Sequence, residues 1–240
     1  MATGNGLTPD YWRQLDMFDP QTFNTPVHII GVGATGSWIA FILAKMGVRN
    51  ITAWDFDIVE VHNLPNQIYG LQEVGMMKVE ALKKIIARDC GFEIEVKAEK
   101  VDGTQKLEGI VYICTDTMSS RKEIWLNSLK YQLDVNLVVE TRLGAELGTI
   151  YSVRPLDPTD VREYENTLYS DGDAEESPCS YRAIPTVVST IAGLASHKLV
   201  KFTANSDLQP VIKLHESEDH ASQEMICVRP IVATAHGWKK

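Results

Sequence analysis

Three glycines, Gly31, Gly33 and Gly36, are spaced as GxGxxG, and that spacing suits one kind of chemistry. The first glycine permits a tight turn, the second lets a phosphate approach the backbone, and the third lets a helix pack closely on a strand. A helix starting there offers free N–H groups and the positive end of its dipole to an anion. Asp55 lies 19 residues beyond Gly36, where an acidic side chain ending a second strand would hold ribose hydroxyls. Two chemistries compete at this point: hydride transfer with a nicotinamide dinucleotide, or use of ATP in the same cradle.

Other reactive side chains give weaker patterns. Cys90, Cys114, Cys179 and Cys227 lie far apart and form no CxxC pair, which predicts no structural zinc. Thiols at this density read as reduced, in a cytoplasmic setting. Cys90, Cys114 and Cys227 read as structural residues. His215 and His220 flank a turn with Glu216, Glu218 and Asp219, which reads as a solvated polar turn rather than a metal site. The sequence shows no HExxH helix. The formal net charge of -9, from 23 Lys+Arg against 32 Asp+Glu, argues against general nucleic-acid binding. A composition of 44% hydrophobic and 23% charged residues is that of a globular domain. No apolar stretch precedes Pro26, and the longest apolar run, around 184–200, is broken by Pro185, Ser189, Thr190, Ser196 and His197. Neither a secretory signal nor a membrane span is expected, so a soluble protein is predicted.

These residues need elements to position them. A short helix is expected over 8–18, with Thr8 as its cap and Pro9 in its first turn. Residues 27–31 form an apolar run like a buried parallel strand, 37–46 a buried helix stopped by Gly47, and 51–55 the next strand. Strand, glycine turn, helix and strand within about thirty residues make the βαβ unit of a doubly wound sheet. Further helices are expected over 76–88, 119–129 and 184–202, and strands over 93–100, 110–114, 136–141 and 147–153. Residues 155–180 hold three prolines, many carboxylates and little periodicity, and read as a long crossover loop. The tail, 208–232, resembles two strands around a polar turn. The fold expected is α/β, a Rossmann-like doubly wound sheet, mostly parallel with antiparallel C-terminal strands, in a single domain. An N-terminal helical arm (1–25) would precede a nucleotide-binding domain (26–240) with a mobile crossover loop over 155–183.

From 27 to 82 the chain resembles the ThiF/MoeB family of ubiquitin-activating-enzyme-like adenylyltransferases. The matching elements are the GxGxxG helix, the strand ending Asp55-Phe56-Asp57, the segment Asn63-Leu64-Pro65-Asn66-Gln67, and Gly75-Met76-Met77-Lys78. Thr115-Asp116 and Arg121 follow, and Arg13-Gln14 resembles the family's arginine-glutamine element. Helix 184–202 is similar in texture to the family's helix after the crossover loop, so the likeness runs over about 10–205.

The resemblance implies use of ATP and Mg²⁺ to adenylate the C-terminal carboxylate of a small ubiquitin-like or sulfur-carrier protein. It implies that Gly31, Gly33, Ala34, Thr35 and Gly36 cradle the nucleotide, with Gln67, Thr115 and Arg121 around it. Asp55 would hold the ribose, Asp57 would stand nearby, and Lys78 and Asn63 would face the phosphates. Asp116 would ligate Mg²⁺. Arg13 resembles an arginine that reaches into a neighbouring protomer's site, which implies a homodimer. Cys179 occupies the loop where some members carry a cysteine that accepts the activated carboxylate as a thioester.

The sequence also departs from the pattern. The family's N-L-x-R-Q arginine is Asn66 here, and asparagine offers no charged fork. Arg121, Arg13 and Lys45 are candidates to replace it. Arg121 is alternatively expected to pair with Asp116 or Glu123, and Asp116 to cap the following helix. With no appended rhodanese-like or ubiquitin-fold module, the chain reads as a minimal activating subunit. A catalytically weak partner subunit and an NAD-dependent oxidoreductase stand as the alternatives.

Overall fold

The computed structural model describes residues 9–143, 147–170, 184–206 and 222–227. Its strands are β1 (Val27–Ile30), β2 (Ile51–Trp54), β3 (Glu95–Lys97), β4 (Gly109–Ile113), β5 (Val135–Leu143), β6 (Leu147–Val153) and β7 (Ser222–Cys227). The helices are α1 (Ala34–Lys45), α2 (Lys78–Cys90), α3 (Met118–Ile124), α4 (Pro158–Glu165) and α5 (Pro185–Ser206). One sheet runs in the order β3-β2-β1-β4-β5-β6-β7. Its first five members are parallel, while β6 pairs antiparallel with both β5 and β7. The expected Rossmann-like sheet with antiparallel C-terminal strands is therefore present.

Strand parity divides the apolar residues between two cores. Ile29, Ala53, Tyr112 and Val139 face α1, α2 and α5, where Ile39, Leu43, Leu82, Ile86 and Ile191 are buried. Ile30, Trp54, Ile113 and Val138 face the other way, against Ile124, Trp125, Val161 and Tyr164. A large aliphatic side chain buried this fully contributes about 1.5–3 kcal/mol relative to exposure. Burial on both faces explains why β1, β2 and β4 read as unbroken apolar runs rather than alternating ones. Helix α2 ends at Gly91, whose φ of +81° is the left-handed cap suited to glycine.

Three elements differ from expectation. The helix expected over 8–18 is a single 3₁₀ turn, Trp12–Gln14, following Tyr11; Thr8 lies outside the described residues. Tertiary contacts hold this segment, since Gln14 Nε2 donates to the Met46 carbonyl at 2.6 Å. The helix over 119–129 is α3 followed by a π-helical turn, Trp125–Leu129. The stretch expected to be irregular contains α4. Asp157 caps it by accepting from the N–H groups of Thr159 (2.8 Å) and Asp160 (3.3 Å), and Pro158 fills its first position. That start signal lies in the sequence, hidden among the neighbouring carboxylates. Of the two tail strands, β7 is seen and the first falls outside the described residues.

His28 gives this fold a pH dependence. It is buried on β1, and its Nδ1 accepts from Trp54 Nε1 at 3.2 Å, which only an unprotonated ring nitrogen can do. Burial lowers its pKa below the ordinary histidine value. A lowered folded pKa means that the unfolded chain binds the proton more readily. The contribution is thus complete above about pH 6.5 and is lost as pH falls below it. Urea midpoints of the native chain and His28→Phe should diverge above that pH range and converge below it. Parallel pH profiles would contradict this account.

Candidate functional site

The chain leaves β1 for α1 on one face and leaves β4 for α3 on the other. The sheet therefore splits its connections at the C-terminal ends of β1 and β4, the place where such folds open a crevice. A cavity of about 670 Å³ lies there.

The glycine loop builds one wall, and its three glycines do different work. Gly31 has φ +83°, and a Cβ there would come within 2.9 Å of the Cys114 carbonyl oxygen. Gly36 does not border the cavity; a Cβ there would sit 1.9 Å from the Gly31 carbonyl oxygen. Both are therefore packing glycines. Among the described residues, a Cβ on Gly33 would find only Gln67 Nε2, at 3.8 Å, so the space above this residue is open. Gly33→Ala is expected to shift stability by no more than about 1 kcal/mol while weakening nucleotide binding at least about tenfold. Nucleotide titration of the folded variant tests this, and unchanged affinity would show that nothing approaches the backbone there. Ala34 and Thr35 also line the cavity, although the Thr35 hydroxyl is engaged with Thr141 Oγ1 at 2.9 Å.

Asp55 ends β2 beneath this loop and is 9% exposed. One carboxylate oxygen accepts from Val32 N–H at 2.8 Å and the other from Asp57 N–H at 2.9 Å. Burial raises its pKa, against the opposing pull of those N–H groups and of Lys78. Asp57 and Lys78 meet through Nζ and Oδ2 at 2.7 Å, and Lys78 N–H donates to the Asp57 carbonyl at 2.9 Å. Gly75, at φ +87°, turns the chain so that its N–H donates to the Val59 carbonyl and Val59 N–H donates to the Met76 carbonyl, both at 2.8 Å, which leads Lys78 to the cavity. Asp57 is thus held by Lys78 through both side chain and backbone.

Asn63 and Gln67 border the cavity from the following turn. Asn63 Oδ1 accepts from Glu60 N–H at 2.9 Å, so part of its role is to hold that turn. Gln67 Oε1 and Thr115 Oγ1 are buried without hydrogen-bond partners among the described residues. Both residues border the cavity, where a bound polar group would satisfy such atoms. Asp116 is exposed at the cavity, and Thr117, not Asp116, caps α3 by accepting from Ser120 N–H. Cys114 lies beside them; burial pushes its thiol up to about 11, which suits an inert thiol.

Arg121 corrects one expectation. It is buried and meets Glu140, not Asp116 or Glu123, with Nε 3.2 Å from the Glu140 carboxylate. The three cations considered in place of the arginine absent at Asn66 lie in different places. Arg121 borders the cavity, whereas Lys45 binds the Asp89 carbonyl elsewhere and Arg13 is exposed against the Trp12 ring. Asn66 itself lies outside the cavity lining. Cys179, His215 and His220 fall outside the described residues.

Sequence reasoning missed His62 and Lys100, which also line the cavity, because neither belongs to a recognisable spacing. Among the described residues, the lining holds five carboxylates, Asp55, Asp57, Glu60, Glu99 and Asp116, against the three cations Lys78, Lys100 and Arg121. Each of those cations already faces a carboxylate, Lys100 through Glu123 at 2.7 Å. No cluster of three or more His, Cys, Asp or Glu suited to a metal occurs among the described residues. No helix among them is long and apolar enough to cross a membrane.

Known structures share this architecture. Escherichia coli MccB, crystallised with AMPCPP and MccA, superposes with a TM-score of 0.57 at 16% identity, over 87% of this chain and 65% of that one. PaaA gives 0.58 at 18% identity, over 89% and 74%. At these identities the likeness is one of fold. Among curated proteins, ubiquitin-like modifier-activating enzyme 5 of Caenorhabditis elegans is 23% identical over 88% of this chain and 55% of its own length. The tRNA threonylcarbamoyladenosine dehydratase of Bacillus subtilis is 39% identical over 35% of this chain and 33% of its own length. The chain spans about half the length of the ubiquitin-like modifier-activating enzymes it matches. The ThiF family model matches residues 19–226, and with that extent of agreement the chain belongs to the ThiF family.

Proposed function

We propose that this chain binds MgATP in the cavity and adenylates the C-terminal carboxylate of a small ubiquitin-like or sulfur-carrier protein. A carboxylate oxygen attacks the α-phosphorus, the bond to the β-phosphate breaks, and pyrophosphate leaves with the electron pair. The observation that carries this reading is convergence: the glycine loop, Asp55, the Asp57–Lys78 pair and Thr115-Asp116 border one cavity. Gly33 brings the backbone to the phosphates, Asp55 holds the ribose, and Lys78 and Arg121 meet phosphate charge.

The donor set fits Mg²⁺. A triphosphate entering a cavity with more carboxylates than cations needs charge from elsewhere, and Asp116 is an exposed hard-oxygen ligand at that place. A single carboxylate with phosphate oxygens and waters is a usual Mg²⁺ set, and the ion would neutralise charge on the phosphates. In the same proposal, residues 26–240 act as one adenylation domain of a cytoplasmic homodimer. Arg13, exposed and outside its own cavity, serves the partner's site. Transfer to Cys179 is a further step, tested by whether Cys179→Ala abolishes an ATP-dependent thioester.

The deciding experiment combines ATP–pyrophosphate exchange, with candidate carrier proteins added, and thermal stabilisation by MgATP against NAD. A ligand bound only to the native state at a hundred times its Kd adds about 2.7 kcal/mol. Stabilisation by MgATP with carrier-dependent exchange supports the proposal. Stabilisation by NAD alone would replace it with an oxidoreductase. The loss of arginine at Asn66 favours one other reading, a weak partner subunit, which would give neither exchange nor strong MgATP stabilisation.

A further inference from the structure

Glu140 has no exposed surface and stands at the centre of a buried charge cluster on β5. One of its oxygens faces Arg121 Nε at 3.2 Å and accepts from Arg142 Nε. The other accepts from Arg142 Nη2 at 3.3 Å and from the Tyr164 hydroxyl. Arg142 is held in turn by the Thr167 carbonyl at 2.8 Å and lies over the Tyr151 ring, 4.2 Å from its centroid. Two guanidinium groups against one carboxylate leave the cluster with a net positive charge. A buried carboxylate is tolerated only when its oxygens are engaged this completely, and such clusters are weak sources of stability but strong sources of geometry.

Arg121 is the member that borders the cavity. Its Nη2 donates to the carbonyls of Thr115, just after β4, and of Thr141, on β5, the latter at 3.3 Å. Nη2 is thus hydrogen-bonded at two neighbouring strands, while Nε is held by the Glu140 charge without a hydrogen bond, so the fork is braced where it stands at the cavity wall. Without Glu140, the guanidinium would keep its two carbonyl contacts but lose the charge that anchors Nε.

We propose that Glu140 is a positioning residue for adenylyl transfer, fixing the Arg121 guanidinium where it meets phosphate charge in place of the arginine missing at Asn66. This rests on the MgATP reading above. The requirement is greatest when charge moves onto the departing pyrophosphate, so the effect belongs in kcat more than in the KM for ATP.

The test is a double-mutant cycle on Glu140→Gln and Arg121→Lys, read by ATP–pyrophosphate exchange with the carrier present. Each single variant is expected to lose roughly a hundredfold in kcat, with KM for ATP within about threefold. The double variant should lose no more than either single one, and Glu140→Asp should recover part of the rate. If Glu140→Gln does not fold, Glu140→Asp replaces it in the same cycle, with the charge kept and the reach shortened. Multiplying losses, or a KM effect with unchanged kcat, would show that Glu140 does not act through Arg121. Native kcat in Glu140→Gln with MgATP stabilisation retained would overturn this inference alone. Absence of MgATP stabilisation in the native chain would remove the nucleotide reading and this inference with it.

Discussion

Gly36→Ala is expected to cost at least about 4 kcal/mol of stability and to abolish nucleotide binding as a consequence. The added Cβ would lie 1.9 Å from the Gly31 carbonyl oxygen, 3.0 Å from its carbon and 3.1 Å from Cys114 Cβ. Two of these are backbone atoms, so no change of rotamer relieves the contact. Gly31 cannot retreat, because it is itself wedged against the Cys114 carbonyl and uses a left-handed conformation. The first turn of α1 would have to lift from β1, disturbing the packing of Ile39 and Leu43 against Ile29. Gly33→Ala, three residues earlier in the same turn, is the control, since no protein atom opposes it closely. Urea unfolding of both variants separates the two cases. A Gly36→Ala midpoint near the native one would mean that the close approach of helix and strand is not what this glycine serves.

The glycine turn and Asp55 were legible in the sequence because local rules fix both. A left-handed φ at Gly31, a tight helix–strand approach at Gly36 and a strand end at Asp55 each leave a mark on residue type. The Asp57–Lys78 pair was half legible. Each residue belongs to a readable spacing, but their contact depends on the turn at Gly75. Helix α4 shows the opposite case: its cap at Asp157 and its Pro158 are local signals, yet the crowd of carboxylates around them masks the apolar positions Val161 and Tyr164. The helix expected around Trp12 fails because that segment is organised by contacts such as Gln14 to Met46 across the fold, not by its own period. Glu140 carried no signal. In the strand sequence it is one of four polar residues, and its partners come from α3, β5 and α4. Arg121 reaches it from α3, which follows β4, the parallel neighbour of β5. Side chains that act through tertiary charge pairs have no spacing to read.

Asp116→Ala is expected to lower carrier-dependent ATP–pyrophosphate exchange by at least about a thousandfold while leaving stability within about 0.5 kcal/mol. The two halves of this expectation have the same origin. The side chain is exposed, and the helix that follows takes its cap from Thr117, so the fold has little use for the Asp116 carboxylate. The cavity already carries more carboxylates than cations, and each of its lysine and arginine side chains faces an acid. One further negative charge at its edge would repel a triphosphate unless a divalent cation stood between them. Removing that carboxylate should therefore help a bare anion and harm a magnesium complex. The native chain should be stabilised far more by MgATP than by ATP with a chelator, whereas in Asp116→Ala the two should come close together. Asp116→Asn, which keeps the shape and removes the charge, should behave like the alanine variant. Exchange within about tenfold of native in either variant, or an undiminished gap between the magnesium and chelator conditions, would place the metal ligand elsewhere in the cavity.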